Sequence, residues 1–222
     1  MKDLPLNSII HRDAALEMAD YPDKSIDVII TDPPWPNVAV ELPDCQDFQQ
    51  RWPLFLNQMA RLTDRLIIVI GCDTDPRFLK DVPTELPFVR VCRLGLIPPR
   101  YKGPILFDAE YAYVFGHNRL PGNGQRVLPG ECFSASQGFH DPKSGDHPCP
   151  RRWAHMLWLV KNFSRPEEIV LDPFCGTGTI PAAAAHAGRR FIGIELYSAW
   201  HRIAVDRVAS LDGSIQSSFL KE

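Results

Sequence analysis

The tetrapeptide Asp32-Pro33-Pro34-Trp35 combines residue types suited to holding a flat ring that carries an amine. The two prolines restrict the backbone and lack an N–H, so the loop offers one carboxylate, bare carbonyls and one aromatic face. Asp32 and the carbonyl of Pro33 could accept both hydrogens of a nucleobase amine and localise its lone pair. Trp35 could stack on a base taken out of its duplex. The four residues alone are equally compatible with an ordinary turn.

A second motif, residues 170–179, reads V-L-D-P-F-C-G-T-G-T and has the order strand, glycine turn, helix. Glycines let the backbone approach a ligand closely, and a helix N-terminus attracts a carboxylate or a phosphate. A phosphate-binding loop would require a lysine that is missing here, and a dinucleotide fingerprint would require a small residue where Pro181 stands. S-adenosylmethionine is the third candidate ligand. Glu195, at the end of the next predicted strand, could accept both of its ribose hydroxyls.

The spacing of apolar residues predicts the elements that position these motifs. A β-branched run at residues 26–31 predicts a buried strand that ends at Asp32, and ligands bind at this end of strands in open α/β sheets. Seven strand candidates alternate with helices, which predicts one doubly wound sheet. The strand candidates are residues 7–10, 26–31, 65–71, 88–96, 109–116, 168–172 and 190–195; the main helix candidates are 13–18, 46–62 with a kink or start at Pro53, 152–163, 179–187 and 198–211. Residues 117–150 are rich in turn-forming types and predict little regular structure.

Composition and charge limit the class of protein. The chain has 222 residues, 45% of them hydrophobic, with no apolar run of the roughly 18 residues that a membrane span requires. No signal-peptide pattern is expected at the N-terminus, and six scattered cysteines without a C-x-x-C pair favour a reducing cytoplasm and predict no metal site. The net charge is −3, but residues 90–152 contain nine Lys/Arg against five Asp/Glu. Because of this positive excess, residues 90–152 are the part of the chain best suited to contact the phosphate backbone of a nucleic acid.

The order of the two motifs, D-P-P-W before D-P-F-C-G-T-G-T, resembles the permuted, beta-class DNA amino-methyltransferases. The resemblance covers nearly the whole chain except residues 117–146 and the C-terminal tail. It implies a Rossmann-like seven-stranded methyltransferase sheet with helices on both faces and a small irregular target-recognition insertion. It also implies methyl transfer from S-adenosyl-L-methionine to an exocyclic amine, without a metal or a covalent enzyme intermediate.

The same resemblance assigns roles to individual residues. Asp32, Pro33, Pro34 and Trp35 would be catalytic. The H-P-C-P-R-R sequence at 147–152 is similar to a histidine motif beside the methionine tail, although the family usually has Lys-Pro or Arg-Pro where Arg151-Arg152 stands. The expected cofactor-binding residues are Asp13 near the adenine, His147, Arg151, Asp172, Phe174, Gly176, Thr177, Gly178, Thr179 and Glu195.

The resemblance also divides the chain and suggests its substrate. We expect a single methyltransferase domain with a catalytic half at 1–116, a target-recognition insertion at about 117–146, a cofactor-binding half at 147–211 and a mobile tail at 212–222. Arg119, Arg126 and Lys143 would contact the substrate. The Asp of D-P-P-W favours adenine N6 in DNA over cytosine N4, whereas Trp35 also resembles the adenine methyltransferases of messenger RNA, so RNA stays possible.

Other classes of protein stay open from the residues alone. A non-catalytic nucleic-acid-binding partner of a methyltransferase would usually have lost motif residues, and here both motifs are intact. A methyltransferase of proteins or small molecules would usually have the two motifs in the opposite order. We expect DNA as partner, no membrane, and a possible homodimer.

Overall fold

Eight strands form one sheet in the computed structural model, which describes residues 3–36, 47–117, 130–134 and 151–219, without the side chains of residues 100, 102 and 212–219. The spatial order is β1-β8-β7-β2-β3-β5-β4-β6. The strands are β1 (Ser8–His11), β2 (Val28–Thr31), β3 (Arg65–Gly71), β4 (Phe88–Lys102), β5 (Ile105–Gly116), β6 (Glu131–Ser134), β7 (Ile169–Asp172) and β8 (Arg190–Glu195).

The five strands β1, β8, β7, β2 and β3 are parallel, and β5 is antiparallel to both of its neighbours, β3 and β4. From β2 the chain continues to β3 on one side, whereas from β7 it continues to β8 on the other side. The order of the sheet therefore reverses between β2 and β7. In open α/β sheets the crevice at such a reversal, outside the carboxyl ends of the strands, is the usual place for a ligand.

Helices cover both faces of the sheet, as the sequence predicts. The helices are α1 (Ala14–Ala19), α2 (Phe48–Leu62), α3 (Trp153–Phe163), α4 (Thr179–His186) and α5 (Ser198–Phe219). Ile29 of β2 packs in one core with residues of α1 and α2, while its neighbours Val28 and Ile30 pack in a second core with residues of α3 and α4. Because both faces are buried, the central strands consist of continuous apolar runs rather than alternating ones.

The structure differs from the sequence prediction in several elements. It has eight strands rather than seven, since β6 forms within residues 117–146, where little regular structure was expected. This strand has four residues and pairs with β4, a long-range contact that leaves no periodic pattern in the sequence. Pro53 lies inside α2, so of the two predicted alternatives the start is wrong and the kink stays a prediction. The helix α5 extends to Phe219, eight residues beyond its predicted end.

Strands β4 and β5 are also longer than predicted. Together they form a hairpin that extends beyond the carboxyl ends of the parallel strands. Glu110 of β5 is paired with Gly71, the last residue of β3, yet β5 begins five residues earlier, at Ile105. At about 3.3 Å per residue the hairpin therefore projects about 16 Å beyond the carboxyl end of β3. Tyr101, near its tip, is 81% exposed.

No helix within the described ranges is long and apolar enough to cross a bilayer.

Candidate active site

Asp32 follows directly after β2 at the reversal point of the sheet, and its side chain is only 13% exposed. One carboxylate oxygen, Oδ2, accepts a hydrogen bond from Nε of Arg151. The other, Oδ1, is buried and has no hydrogen-bond partner among the described residues. Burial raises the pKa of Asp32 to about 6, the charge of Arg151 opposes this shift, and the charge of Glu110 adds to it. Asp32 thus has one carboxylate oxygen that is buried away from water and still able to accept a hydrogen bond.

Trp35 is buried, which differs from the open aromatic face that the sequence suggests. Its indole N–H donates to the carbonyl of Val69 at 3.1 Å, and 8% of the residue is exposed. The six-membered ring packs on Gly71, where an added Cβ would lie 2.7 Å from Cζ3 of the ring. The guanidinium carbon of Arg151 lies 4.2 Å from the ring centre. A base could therefore stack on the face next to Arg151 after this side chain moves. The neighbouring Pro33 is buried and Pro34 is half-buried.

Arg151 connects the D-P-P-W loop to β5, because its Nη1 donates to Oε1 of Glu110 while its Nε donates to Asp32. The resemblance suggested a role at the cofactor, which stays a prediction, but these bonds place Arg151 beside the D-P-P-W loop. Sequence reasoning assigned no role to Glu110. The available signal was a carboxylate in the otherwise apolar segment A-E-Y-A-Y-V-F, since a buried strand rarely contains an unpaired charge.

Asp172 connects the glycine turn to the end of β2, directly before the D-P-P-W loop. Its Oδ1 accepts hydrogen bonds from Oγ1 of Thr31, at 2.9 Å, and from the backbone N–H of Phe174, at 3.2 Å. Asp172 is 2% exposed, and burial raises its pKa to about 8, with smaller contributions from the negative charges of Asp32 and Glu195. A nearby cation, such as an ammonium group, would therefore be favoured at this position.

The glycine turn has the left-handed backbone that its sequence requires, with φ of +51° at Gly176 and +79° at Gly178. A Cβ on Gly178 would lie 2.9 Å from Cβ of Ala204, so this glycine permits the close approach of α5, and its role at the cofactor stays a prediction. Thr177 is buried, and Thr179 starts α4 and accepts a hydrogen bond from Arg207. Cys175 is buried, and burial raises the pKa of its thiol.

Glu195 ends β8, and the register of β7 and β8 places it at the same edge as Asp172. Its Oε2 accepts from the N–H of Gly176 at 2.8 Å, and its Oε1 accepts from the N–H of Tyr197 at 2.7 Å. Burial raises the pKa of Glu195. A carboxylate has about four lone-pair sites, so each oxygen can still accept a ribose hydroxyl.

Asp13 lies past the end of β1, where it caps α1 by accepting from the N–H groups of Ala15 and Leu16. Arg51 of α2 donates to both of its oxygens, at 2.9 and 2.8 Å, and its guanidinium lies 4.9 Å from the ring centre of Phe55. Phe174 meets Phe55 edge to face. This side of the site thus combines the ion-paired carboxylate of Asp13 with an aromatic wall formed by Phe55 and Phe174. Arg51 was missed by sequence reasoning, because a charged residue on an amphipathic helix carries no distinguishing signal.

The structure therefore brings Asp32, Trp35, Asp172 and Glu195 to one edge of the sheet, with Asp13 at the end of the same parallel set. The predicted residues Arg119, Arg126, Lys143 and His147 lie outside the described residues. Within the described ranges, no group of His, Cys, Asp and Glu has the geometry of a metal site.

Comparison with known proteins agrees with this geometry. Residues 114–206 match a family described as DNA methylase. The chain is 28% identical over 225 residues to YubD of Escherichia coli K12, a methylase by name, covering 95% of this chain and 94% of YubD. It is 24% identical to the DNA adenine methyltransferase YhdJ of the same organism, over 90% of this chain and 82% of YhdJ.

Among solved structures, the M1.HpyAVI–SAM complex is similar at a TM-score of 0.68 and 20% identity, over 90% of this chain and 98% of that one. This similarity confirms the α/β fold. The family match and the two relatives confirm the resemblance to the DNA amino-methyltransferases.

Proposed function

We propose that this relative of the DNA amino-methyltransferases transfers a methyl group from S-adenosylmethionine to the N6 amine of adenine in DNA. The observation that carries the proposal is the buried Oδ1 of Asp32, which has no hydrogen-bond partner among the described residues and lies beside Trp35. Thr31, the residue before Asp32, is hydrogen-bonded to Asp172 of the glycine turn. The acceptor for an amine and the turn for a cofactor are thus adjacent.

The described residues fit S-adenosylmethionine. Glu195 would accept hydrogen bonds from the ribose hydroxyls, and the buried Asp172 would face the cationic methionine end. Asp13, with the aromatic wall of Phe55 and Phe174, would hold the adenine. When bound, the cofactor supplies a methyl group on a positively charged sulfur, and four carboxylates near this edge, those of Asp32, Glu110, Asp172 and Glu195, favour that charge.

The chain's own part in the reaction is to orient the target amine. Asp32 Oδ1 would accept one N–H and the carbonyl of Pro33 the other, so that the nitrogen lone pair points at the methyl carbon. The new N–C bond forms as the C–S bond breaks, and the amine then loses a proton to solvent. Asp32 need not be a strong base, because the amine becomes acidic once it is methylated. Positioning and electrostatics account for the acceleration.

The preference for adenine rests on the Asp of the D-P-P-W motif and on the similarity to an adenine methyltransferase. Cytosine N4 presents the same two hydrogens to the same acceptors, so it is the second candidate in DNA. Adenine N6 of RNA is the third, because Trp35 resembles the enzymes that modify messenger RNA. A non-catalytic binding partner is disfavoured by the intact Asp32 and Glu195.

The test is transfer of tritiated methyl groups to DNA, RNA and free nucleosides, followed by mass spectrometry of the nucleosides. We expect N6-methyladenine in DNA. Asp32→Ala should lower transfer at least about 100-fold, as expected when a group that stabilises the transition state is removed, while cofactor binding stays intact. Transfer near the wild-type rate by Asp32→Ala would contradict this mechanism.

A second variant tests the cofactor site separately. Glu195→Gln should weaken S-adenosylmethionine binding by about 1.5–3 kcal/mol, because a charged acceptor of the ribose hydroxyls is lost. Glu85→Gln, at an exposed surface position, is the matched control. Equal affinities of the two variants in calorimetry would show that Glu195 does not hold the ribose.

A further inference from the structure

We propose that Arg151 is a positioning residue that occupies the target-base pocket before DNA binds and leaves it when the base enters. This inference rests on the proposed function, since it assigns to Arg151 a role in the same site. A guanidinium is flat, it stacks on aromatic rings, and its N–H groups match a carboxylate. A nucleobase with an exocyclic amine shares these three properties, and Arg151 contacts the two side chains, Trp35 and Asp32, that the base would contact.

The first contact is with the aromatic ring. Trp35 is held by its hydrogen bond to Val69 and by the close packing of its six-membered ring on Gly71. The guanidinium carbon of Arg151 lies 4.2 Å from the ring centre, which is a stacking distance. Because Trp35 is buried with Arg151 in place, a base cannot reach this face until Arg151 has moved.

The second contact is with the catalytic carboxylate. Nε of Arg151 donates to Oδ2 of Asp32, so the side chain satisfies one oxygen of a buried acid that has no other ion pair with the residues that the structure describes. When Arg151 leaves, Asp32 requires a new N–H donor, because an unpaired buried carboxylate is costly. An amine-bearing base supplies that donor from an exocyclic nitrogen, whereas thymine has a carbonyl at the equivalent position and carries its N–H only within the ring. The exchange therefore favours entry of the correct kind of base.

Glu110 provides the anchor that keeps Arg151 nearby. Its Oε1 accepts from Nη1 of Arg151, and its side chain, on the central strand β5, is 9% exposed. The guanidinium can therefore break its bond to Asp32 and rotate off Trp35 while its bond to Glu110 persists. In that position its positive charge still favours the ionised form of Asp32 during the reaction.

Two substitutions separate the stacking contact from the charge. Arg151→Lys retains the positive charge but lacks the flat group that covers Trp35, and Arg151→Met removes both. Arg152→Met is the matched control, because it removes the adjacent arginine, which donates to the carbonyl of Ser134 at the edge of the sheet.

For Arg151→Lys we expect a KM for DNA several-fold below that of the wild type, with the same pH dependence of kcat. For Arg151→Met we expect a similarly low KM and an acidic limb of kcat shifted upward by about one pH unit, because Asp32 loses its nearby cation. Arg152→Met should match the wild type. A KM for Arg151→Lys that is equal to or higher than that of the wild type would overturn the proposal, and this variant decides the matter if Arg151→Met fails to fold.

A measurement that does not depend on activity completes the test. The Nε–H resonance of Arg151, assigned by its absence in Arg151→Lys, should shift when oligo(dA) is added with S-adenosylhomocysteine and should not shift with oligo(dT). No shift at any oligo(dA) concentration would overturn the proposal. If the wild type methylates no nucleic acid, the proposed function fails, whereas this resonance still shows whether adenine displaces Arg151.

Discussion

Burial determines the behaviour of the acidic residues at the edge of the sheet. Asp32 and Asp172 are both desolvated, and their pKa values are raised to about 6 and about 8 respectively. At neutral pH Asp172 is therefore largely protonated before a ligand binds. A cationic ligand beside it lowers its pKa, because an opposite charge favours the ionised form. In the proposed complex, cofactor binding and proton release are therefore coupled at this residue.

We predict that S-adenosylmethionine binding at pH 7 releases close to one proton and that its affinity rises as the pH increases toward about 8. The sign follows because the free protein holds the proton on Asp172 and the complex does not. Calorimetry in buffers of different ionisation enthalpy measures the proton count. The variant Asp172→Asn should lose most of the release. A pH-independent affinity between 6 and 8, accompanied by no proton release, would contradict this assignment.

At the scale of elements, two glycines, Gly178 before α4 and Gly188 after it, show two separate requirements for glycine. Gly178 and Gly188 both have φ near +75°, at +79° and +71°, but only Gly178 has a neighbour where a Cβ would be, namely Ala204 of α5. The left-handed backbone costs a residue with a Cβ about 1–2 kcal/mol. The pair of sites therefore separates the cost of this backbone from the cost of packing.

We predict that Gly188→Ala lowers the free energy of unfolding by about 1–2 kcal/mol. Gly178→Ala should lower it by more, because α5 must also move away from the turn, and it should weaken cofactor binding as Gly176 and Thr177 shift. Urea unfolding and calorimetry provide the two measurements. Equal losses of stability would mean that α5 adjusts to the added methyl group without cost.

The hairpin of β4 and β5 is the element that projects from the edge carrying Asp32. Its tip exposes Tyr101, and the segment from Ile97 to Phe107 contains Arg100 and Lys102 without an acidic residue. A positive segment with an exposed aromatic residue suits contact with a phosphate backbone and with bases. The far end of the same hairpin exposes Phe88, which lies at the opposite edge of the sheet.

We predict that Tyr101→Ala weakens DNA binding by about 1–3 kcal/mol, the size of one stacking contact, without changing cofactor affinity or stability. Phe88→Ala is the control, because it removes an exposed aromatic residue from the same hairpin, far from the site. It should leave DNA binding unchanged. If both variants bound DNA like the wild type in a fluorescence anisotropy titration, the hairpin tip would not contact the substrate.

At the scale of the whole molecule, the number of side chains free to read bases limits specificity. The predicted recognition segment, residues 117–146, contains Arg119, Arg126 and Lys143 as its cations. One bidentate arginine contact discriminates against a wrong base by about 1–3 kcal/mol. Many of the positive groups should touch phosphates, which carry no sequence information.

We therefore predict a short or relaxed recognition sequence, or a homodimer that joins two such surfaces. Arg126→Ala should relax one position of the site or weaken binding to all sequences equally, and sequencing of methylated positions distinguishes the two results. A stringent site of six or more base pairs, about twice what three cations could specify, would contradict this prediction if the active species were a monomer.

The sequence by itself determined the two motifs, their permuted order and most of the strands. These features are local: a β-branched run, a Pro-Pro pair or a Gly-x-Gly turn acts through the φ and ψ angles of neighbouring residues. The α/β class followed because the strands and helices alternate along the chain. Asp32, Asp172 and Glu195 could be predicted to meet, because parallel strands bring their carboxyl ends to one edge.

Only the tertiary structure decided what surrounds those residues. Arg151 meets Asp32 across 119 positions of sequence and meets Glu110 across 41, and neither pairing has a periodic signal. The burial of Trp35, the eighth strand and the projecting hairpin likewise depend on long-range packing. Packing also set the pKa values of Asp32 and Asp172, because desolvation depends on every element that covers a carboxylate and not on its neighbours in sequence.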